Sequence, residues 1–186
     1  MSNRIASLLL TAATSLCSCV TEDTPDNIGL SAGDPLPQFS VTLNDGSSIS
    51  PSSLRGNVAV IEFFNTGCRD CRDALPTLQQ LYDWSLTLND VTVTAIARDE
   101  DEASIAGYWL DNGLTVPFSP QNGRDVYNLF ATAGIPRIYV IDRQGIISSS
   151  FGPENPPSFQ TLKDEVERIR QASREPAISG YPISTR

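Results

Sequence analysis

Two cysteines held two residues apart, Cys68-Arg69-Asp70-Cys71, are the most chemically capable feature of this 186-residue chain. A C-x-x-C pair can be a redox disulfide, a local staple or half of a metal site. The metal alternative needs two more soft ligands. The chain has no His, and its other two cysteines, Cys17 and Cys19, lie near the N-terminus. With no His, Ser-His and Cys-His nucleophile pairs are excluded too. Lys163 is the single lysine, so Schiff-base chemistry has one candidate position. With 13 Lys+Arg against 22 Asp+Glu, the net charge of −9 argues against the phosphate backbone of nucleic acid as a partner. Chemistry built on cysteines, carboxylates or backbone remains, with no cofactor and no metal required.

The first 18 residues read as a leader. Arg4 precedes an apolar run from Ile5 to Leu16, the length of a signal-peptide core and too short for a bilayer span. Leu16-Cys17-Ser18-Cys19 resembles a bacterial lipobox, which implies cleavage before Cys19 and a lipid on its sulfur. An ordinary signal peptide, or a retained anchor, is the alternative. Residues 19–33 then read as a polar tether. Glu22-Asp23 loosely resembles an acidic surface-export signal. The expected localisation is the cell envelope, lipid-anchored on the periplasmic side.

The elements that must position Cys68 and Cys71 follow from periodicity. Val58–Phe64 (VAVIEFF) is β-branched and aromatic, as in a buried strand. Asn65-Thr66-Gly67 turns the chain, and residues 68–88 carry apolar side chains at helical spacing, interrupted by Pro76. Strands are expected at 91–97, 138–141 and 146–150, and helices at 100–112, 124–131 and 158–172, with Gly113 stopping the second of these four helices. Alternating strands and helices followed by a hairpin and helix imply an α/β domain over 34–173, a mixed sheet covered on both faces, with a polar tail at 174–186.

Four separated segments resemble the thioredoxin-fold, TlpA/ResA-type thiol-disulfide oxidoreductases of the redoxin superfamily. Gly33–Phe39, with Leu43–Gly46 and Ser53–Gly56, is similar to their N-terminal β-hairpin. Glu62–Cys71 resembles the strand–turn–helix carrying the redox pair. Pro76 matches a helix-kinking proline, and Gly134-Ile135-Pro136 resembles the cis-proline loop. The implied fold is a thioredoxin-like three-layer arrangement with an N-terminal hairpin extension. The chain departs from the family at Gly67, where Trp is common, and at Arg69-Asp70, where a Pro is common.

The resemblance implies a role for each residue. Cys68, at a helix start where free N–H groups favour negative charge, is the expected nucleophile, and Cys71 one turn on would resolve the mixed disulfide. Arg69 and Arg72 favour the thiolate and Asp70 opposes it. A structural staple is the alternative, although so short a loop gains little chain entropy. Glu62 matches a buried acid that exchanges a proton with the resolving Cys, and desolvation should raise its pKa. A solvated, edge-facing Glu62 is the alternative. Ile135 and Pro136, with Gly67 and Arg69, would contact substrate backbone. Arg137 either guides acidic peptides or is solvated. Tyr82, Trp84, Tyr108 and Trp109 are expected in the core rather than in a groove, and Asp99–Glu102 as helix N-terminal charge rather than a calcium site.

The implied activity is a membrane-anchored reductase exchanging with protein disulfides, supplied by a membrane electron donor. Two alternatives stand beside it. A thiol peroxidase would carry Thr or Ser where Asn65 stands, and a non-catalytic interaction lipoprotein would not need Cys68.

Overall fold

In the computed structural model, residues 29–172 are described. The leader, Cys19, most of the tether and the polar tail lie outside them. The elements run β1 (Val41–Thr42), β2 (Ser48–Ile49), α1 (Pro51–Leu54), β3 (Val58–Phe64), α2 (Arg69–Ser85) and β4 (Val91–Ala97). They continue with α3 (Glu102–Asn112), β5 (Phe118–Ser119), α4 (Asp125–Asn128), β6 (Arg137–Ile141), β7 (Ile147–Phe151) and α5 (Phe159–Ala172).

β1 and β2 form a separate antiparallel hairpin. The main sheet has the order β5-β4-β3-β6-β7, with β3, β4 and β5 parallel and β6 and β7 antiparallel to their neighbours. β3 sits at the centre with every residue buried, which is why its sequence is almost continuously apolar. Two right-handed crossovers in the same direction, β3-α2-β4 and β4-α3-β5, place α2 and α3 on one face of the sheet. α5 packs on α2 there.

Strand alternation assigns the side chains to faces. Phe64 points at the helices and stacks with Trp109 of α3 at 5.0 Å. Phe63 points the other way, into a ring cluster with Tyr127, Phe130 and Tyr139. Glu62 shares the face of Phe64, beneath the helices. Register pairs it with Ala95 and Ile138, so both flanking strands shield it. The mixed sheet flanked by helices, with its N-terminal hairpin, is the expected thioredoxin-like α/β fold.

Several boundaries differ from the sequence reading. α2 ends at Ser85, not Leu88, because the hydroxyls of Ser85 and Thr87 bond back to the carbonyls of Tyr82 and Trp84. Leu86 is left exposed. Pro76 lies inside a continuous α2. α3 starts at Glu102 because Asp101 caps it, accepting from Ser104 N–H at 3.0 Å. Gly113 ends it in the left-handed region, as expected. The helix expected at 124–131 is the single turn α4, and α1 and β5 are additional elements. Residues 29–33, read as tether, run along the domain instead. Gly29 bridges Ala131, and Leu30 N–H bonds Phe130 O at 2.8 Å.

Candidate active site

The Cys68–Cys71 pair sits where β3 ends and α2 begins. Cys68 is the N-cap of α2, with extended backbone angles (φ −82°, ψ 125°), and its side chain makes no cap hydrogen bond. Its sulfur therefore stands at the position from which side chains reach the free first-turn N–H groups. Cys68 is half-buried, and its thiol donates to the Ile135 carbonyl at 3.7 Å. The Ile135–Pro136 peptide is cis.

Cys71 is fully buried, and desolvation pushes its thiol pKa strongly up. The Asn65 backbone opposes the shift, whereas the Cys68 side chain and the Glu62 charge add to it. The pair thus divides into an accessible sulfur and a protected one. Neither cysteine is in a disulfide here.

Glu62 has no solvent exposure, and neither carboxyl oxygen has a hydrogen-bond partner. Burial raises its pKa to about 8. The solvated alternative is excluded, because helices cover the face to which strand alternation turns this side chain.

A cleft of about 340 Å³ opens beside Pro136, walled by Ala74, Ile138, Pro153 and Pro157, with Asp70 and Asp73 at its rim. Of the residues expected to touch substrate, Pro136 lines this cleft. Ile135 is buried and offers its carbonyl. Gly67 is exposed at the turn beside Cys68. Arg69 is not part of the cleft wall: its side chain is 87% exposed and faces Asp73 at 3.9 Å.

Arg137 requires a correction. It is neither solvated nor placed to guide a peptide, but buried under the 131–134 loop, donating to Ala133 O at 3.1 Å. Strand alternation puts it on the face opposite Ile138 and the cleft. Trp109 is core, as expected, donating to Val116 O at 2.8 Å, and Tyr82, Trp84 and Tyr108 are half-buried against the core. Among the described residues, no group of three His, Cys, Asp or Glu is placed to hold a metal.

One contributor escaped the sequence reading. In the Asp99–Glu102 run, only Asp101 and Glu102 belong to the start of α3. Glu100 turns back to the turn before Cys68, where its carboxylate accepts from Thr66 N–H at 2.8 Å and from the Thr66 hydroxyl. No spacing rule could have joined residues 34 positions apart. A carboxylate placed before the helix cap, and not within the helix, was the available hint.

An accessible N-cap sulfur over a buried one, beside a cis-proline and above a buried carboxyl, defines a thioredoxin-like thiol-disulfide oxidoreductase. A family model described as the AhpC/TSA family matches residues 32–150, more than half of the chain, and the chain belongs to that family. The thiol-disulfide oxidoreductase ResA of Geobacillus kaustophilus is 25% identical over 165 residues, covering 89% of this chain and 91% of that protein. ResA of Bacillus thuringiensis is 24% identical over 120 residues, 64% of this chain and 69% of its own. A thiol:disulfide interchange protein of the thioredoxin family from Chlorobium tepidum superposes with a TM-score of 0.63 at 26% identity, covering 74% of this chain and 96% of that one.

Proposed function

We propose that the protein is an extracytoplasmic, membrane-anchored reductase of protein disulfides. The observation that carries this reading is the asymmetry of the pair: Cys68 half-exposed on the Ile135 carbonyl, Cys71 buried with Glu62. The Cys68 thiolate attacks one sulfur of a client disulfide, and the other client sulfur leaves as a thiolate that takes a proton. Cys71 passes its proton to ionised Glu62 and attacks the Cys68 sulfur. That step closes the Cys68–Cys71 disulfide and releases the second client thiol. The client gains two electrons and the dithiol loses them, so a reducing donor at the membrane must restore the pair.

Client backbone would lie along Ile135-Pro136 and Gly67, with a side chain entering the cleft. The lipid on Cys19 supplies the anchor in this reading. No helix among the described residues is long and apolar enough to cross a membrane. Asn65 supports disulfide exchange over peroxide chemistry: its carboxamide donates to Arg98 O and Asp99 O and accepts from Gly67 N–H, leaving no free donor for a peroxide.

The test is exchange with a disulfide-bonded peptide. Cys68→Ser should lose it entirely, and Cys71→Ser should accumulate the mixed disulfide on Cys68. Exchange that survives Cys68→Ser overturns the assignment. The direction is read from the equilibrium potential of the pair in a thiol buffer. A value near or below about −270 mV supports a reductase, whereas one near about −120 mV makes the protein a disulfide donor.

A further inference from the structure

The turn that delivers Cys68 to its position is made of half-buried Asn65 and Thr66 and exposed Gly67. Gly67, directly before the cysteine, has no side chain. The turn is held by polar contacts to the chain just after β4. Asn65 reaches the carbonyls of Arg98 and Asp99, each at 3.3 Å, and Thr66 gives both its N–H and its hydroxyl to Glu100.

Glu100 is itself anchored. Its backbone exchanges both hydrogen bonds with Gln121, at 2.7 and 3.0 Å, and Asp99 N–H bonds Gly123 O at 2.9 Å. A continuous polar path therefore runs from residues 121–123 through Glu100 to Thr66 and on to Cys68. Asp99 takes a positive φ of 61° on that path, directly before Glu100.

We infer that Glu100 is a positioning residue for the redox pair: its two-pronged grip on Thr66 fixes the turn so that the Cys68 sulfur stays within reach of Cys71. The inference rests on the reading of Cys68–Cys71 as a redox pair. Its consequence is thermodynamic. Closing the disulfide depends on the effective concentration of one thiol at the other, and a turn free to swing lowers that concentration. The dithiol is then favoured over the disulfide. A role in holding the fold alone would alter melting temperature and leave this equilibrium in place.

The experiment equilibrates the full chain in glutathione buffers of graded ratio, with melting temperature measured in parallel. Glu100→Gln, which keeps one acceptor, and Thr66→Val, which removes the hydroxyl, should each move the equilibrium at least three-fold toward the dithiol. Thr66→Ser keeps both donors and should stay within three-fold of the parent. So should Glu102→Gln, which removes a nearby charge that does not touch the turn. The Glu100→Gln/Thr66→Val double variant should shift by no more than the larger single effect, because both changes break one grip.

Equilibria within three-fold of the parent in both single variants, or shifts that multiply in the double, overturn the inference. Should Glu100→Gln fail to fold, the milder Thr66→Val decides. A parent protein that never closes the Cys68–Cys71 disulfide at any buffer ratio overturns the redox reading itself, a result distinct from loss of the grip.

Discussion

Two carboxylates at opposite ends of the central sheet meet opposite treatment. Asp90, just ahead of β4, is contacted by two guanidiniums, Arg143 at 2.6 Å and Arg170 at 2.9 Å. Burial acts against its charge, yet the hydrogen bonds from Arg143 and Arg170 outweigh it and hold its pKa below the usual 3.8. Glu62, near the Cys68 end, has burial and no partner, and its pKa rises to about 8. The same chemical group is held as an anion in one place and is brought to titrate near neutrality in the other. Asp90 ties together β4, the β6–β7 turn and α5, whereas Glu62 is destabilising when charged and suited to general acid–base work.

The largest expected effect is at Glu62. The folded chain keeps a proton that the unfolded chain releases above about 4.5, so the folded state is favoured fully below that pH. The advantage is lost as pH rises toward about 8, at about 1.4 kcal/mol per pH unit. Glu62→Gln should therefore be more stable than the parent at pH 8 by a few kcal/mol, melting higher there, and match it near pH 4. The same variant should slow closure of the disulfide by about ten-fold or more at pH 8 and flatten the rise of that rate with pH. Thermal melts and stopped-flow closure across pH 4–9 check both. A melting curve whose pH dependence survives the substitution would dissolve the contrast with Asp90.

Asp90→Asn should behave in the opposite way. Removing the anion leaves two guanidiniums without their partner, at a cost of about 1–3 kcal/mol at pH 7 by denaturant titration. Disulfide exchange should stay at the parent rate. Because the folded pKa of Asp90 is depressed, its contribution is present above about 3.8 and disappears as pH falls through the folded value. The variant should thus lose less stability than the parent on acidification below pH 4.

The smallest expected effect belongs to a third carboxylate, Asp73, whose partner Arg69 is almost fully exposed. Arg69→Ala should change stability by less than about 0.5 kcal/mol, since solvent screens such a pair. Placed beside the other two, it ranks the three carboxylates by burial and partner, not by charge.

Much of the site was legible in the chain because its grammar is local. An apolar run ending in a turn, a C-x-x-C at a helix start and a Pro-containing loop before another apolar strand each depend on residues within about ten positions. β3, α2, β4 and β6 consequently lie close to where periodicity puts them. α1 and β5 were missed because elements of four and two residues carry no period to detect. The helix expected at 124–131 shrank to one turn because the chain must unwind there to reach the 131–134 loop. Tyr127 Oη donates to Gly134 O in that loop at 2.8 Å, and Tyr139 Oη donates to Phe130 O just before it at 2.9 Å.

The amino-acid sequence alone establishes the chemistry available: two cysteines in register with a helix start, one acid within the strand before them, and no His to offer an alternative. It leaves open which side chains are alone and which are held, because that depends on what other strands and helices bring within about 3 Å. Glu62 is unpartnered because the helix side of the sheet is closed over it. Arg137 is buried away from the cleft because strand alternation turns it to the opposite face. Glu100 reaches Thr66 because β3 and β4 run parallel and end together, so the loops leaving them are neighbours in space. Composition and spacing select the reacting atoms, and the packing of distant segments sets their proton affinity and their reach.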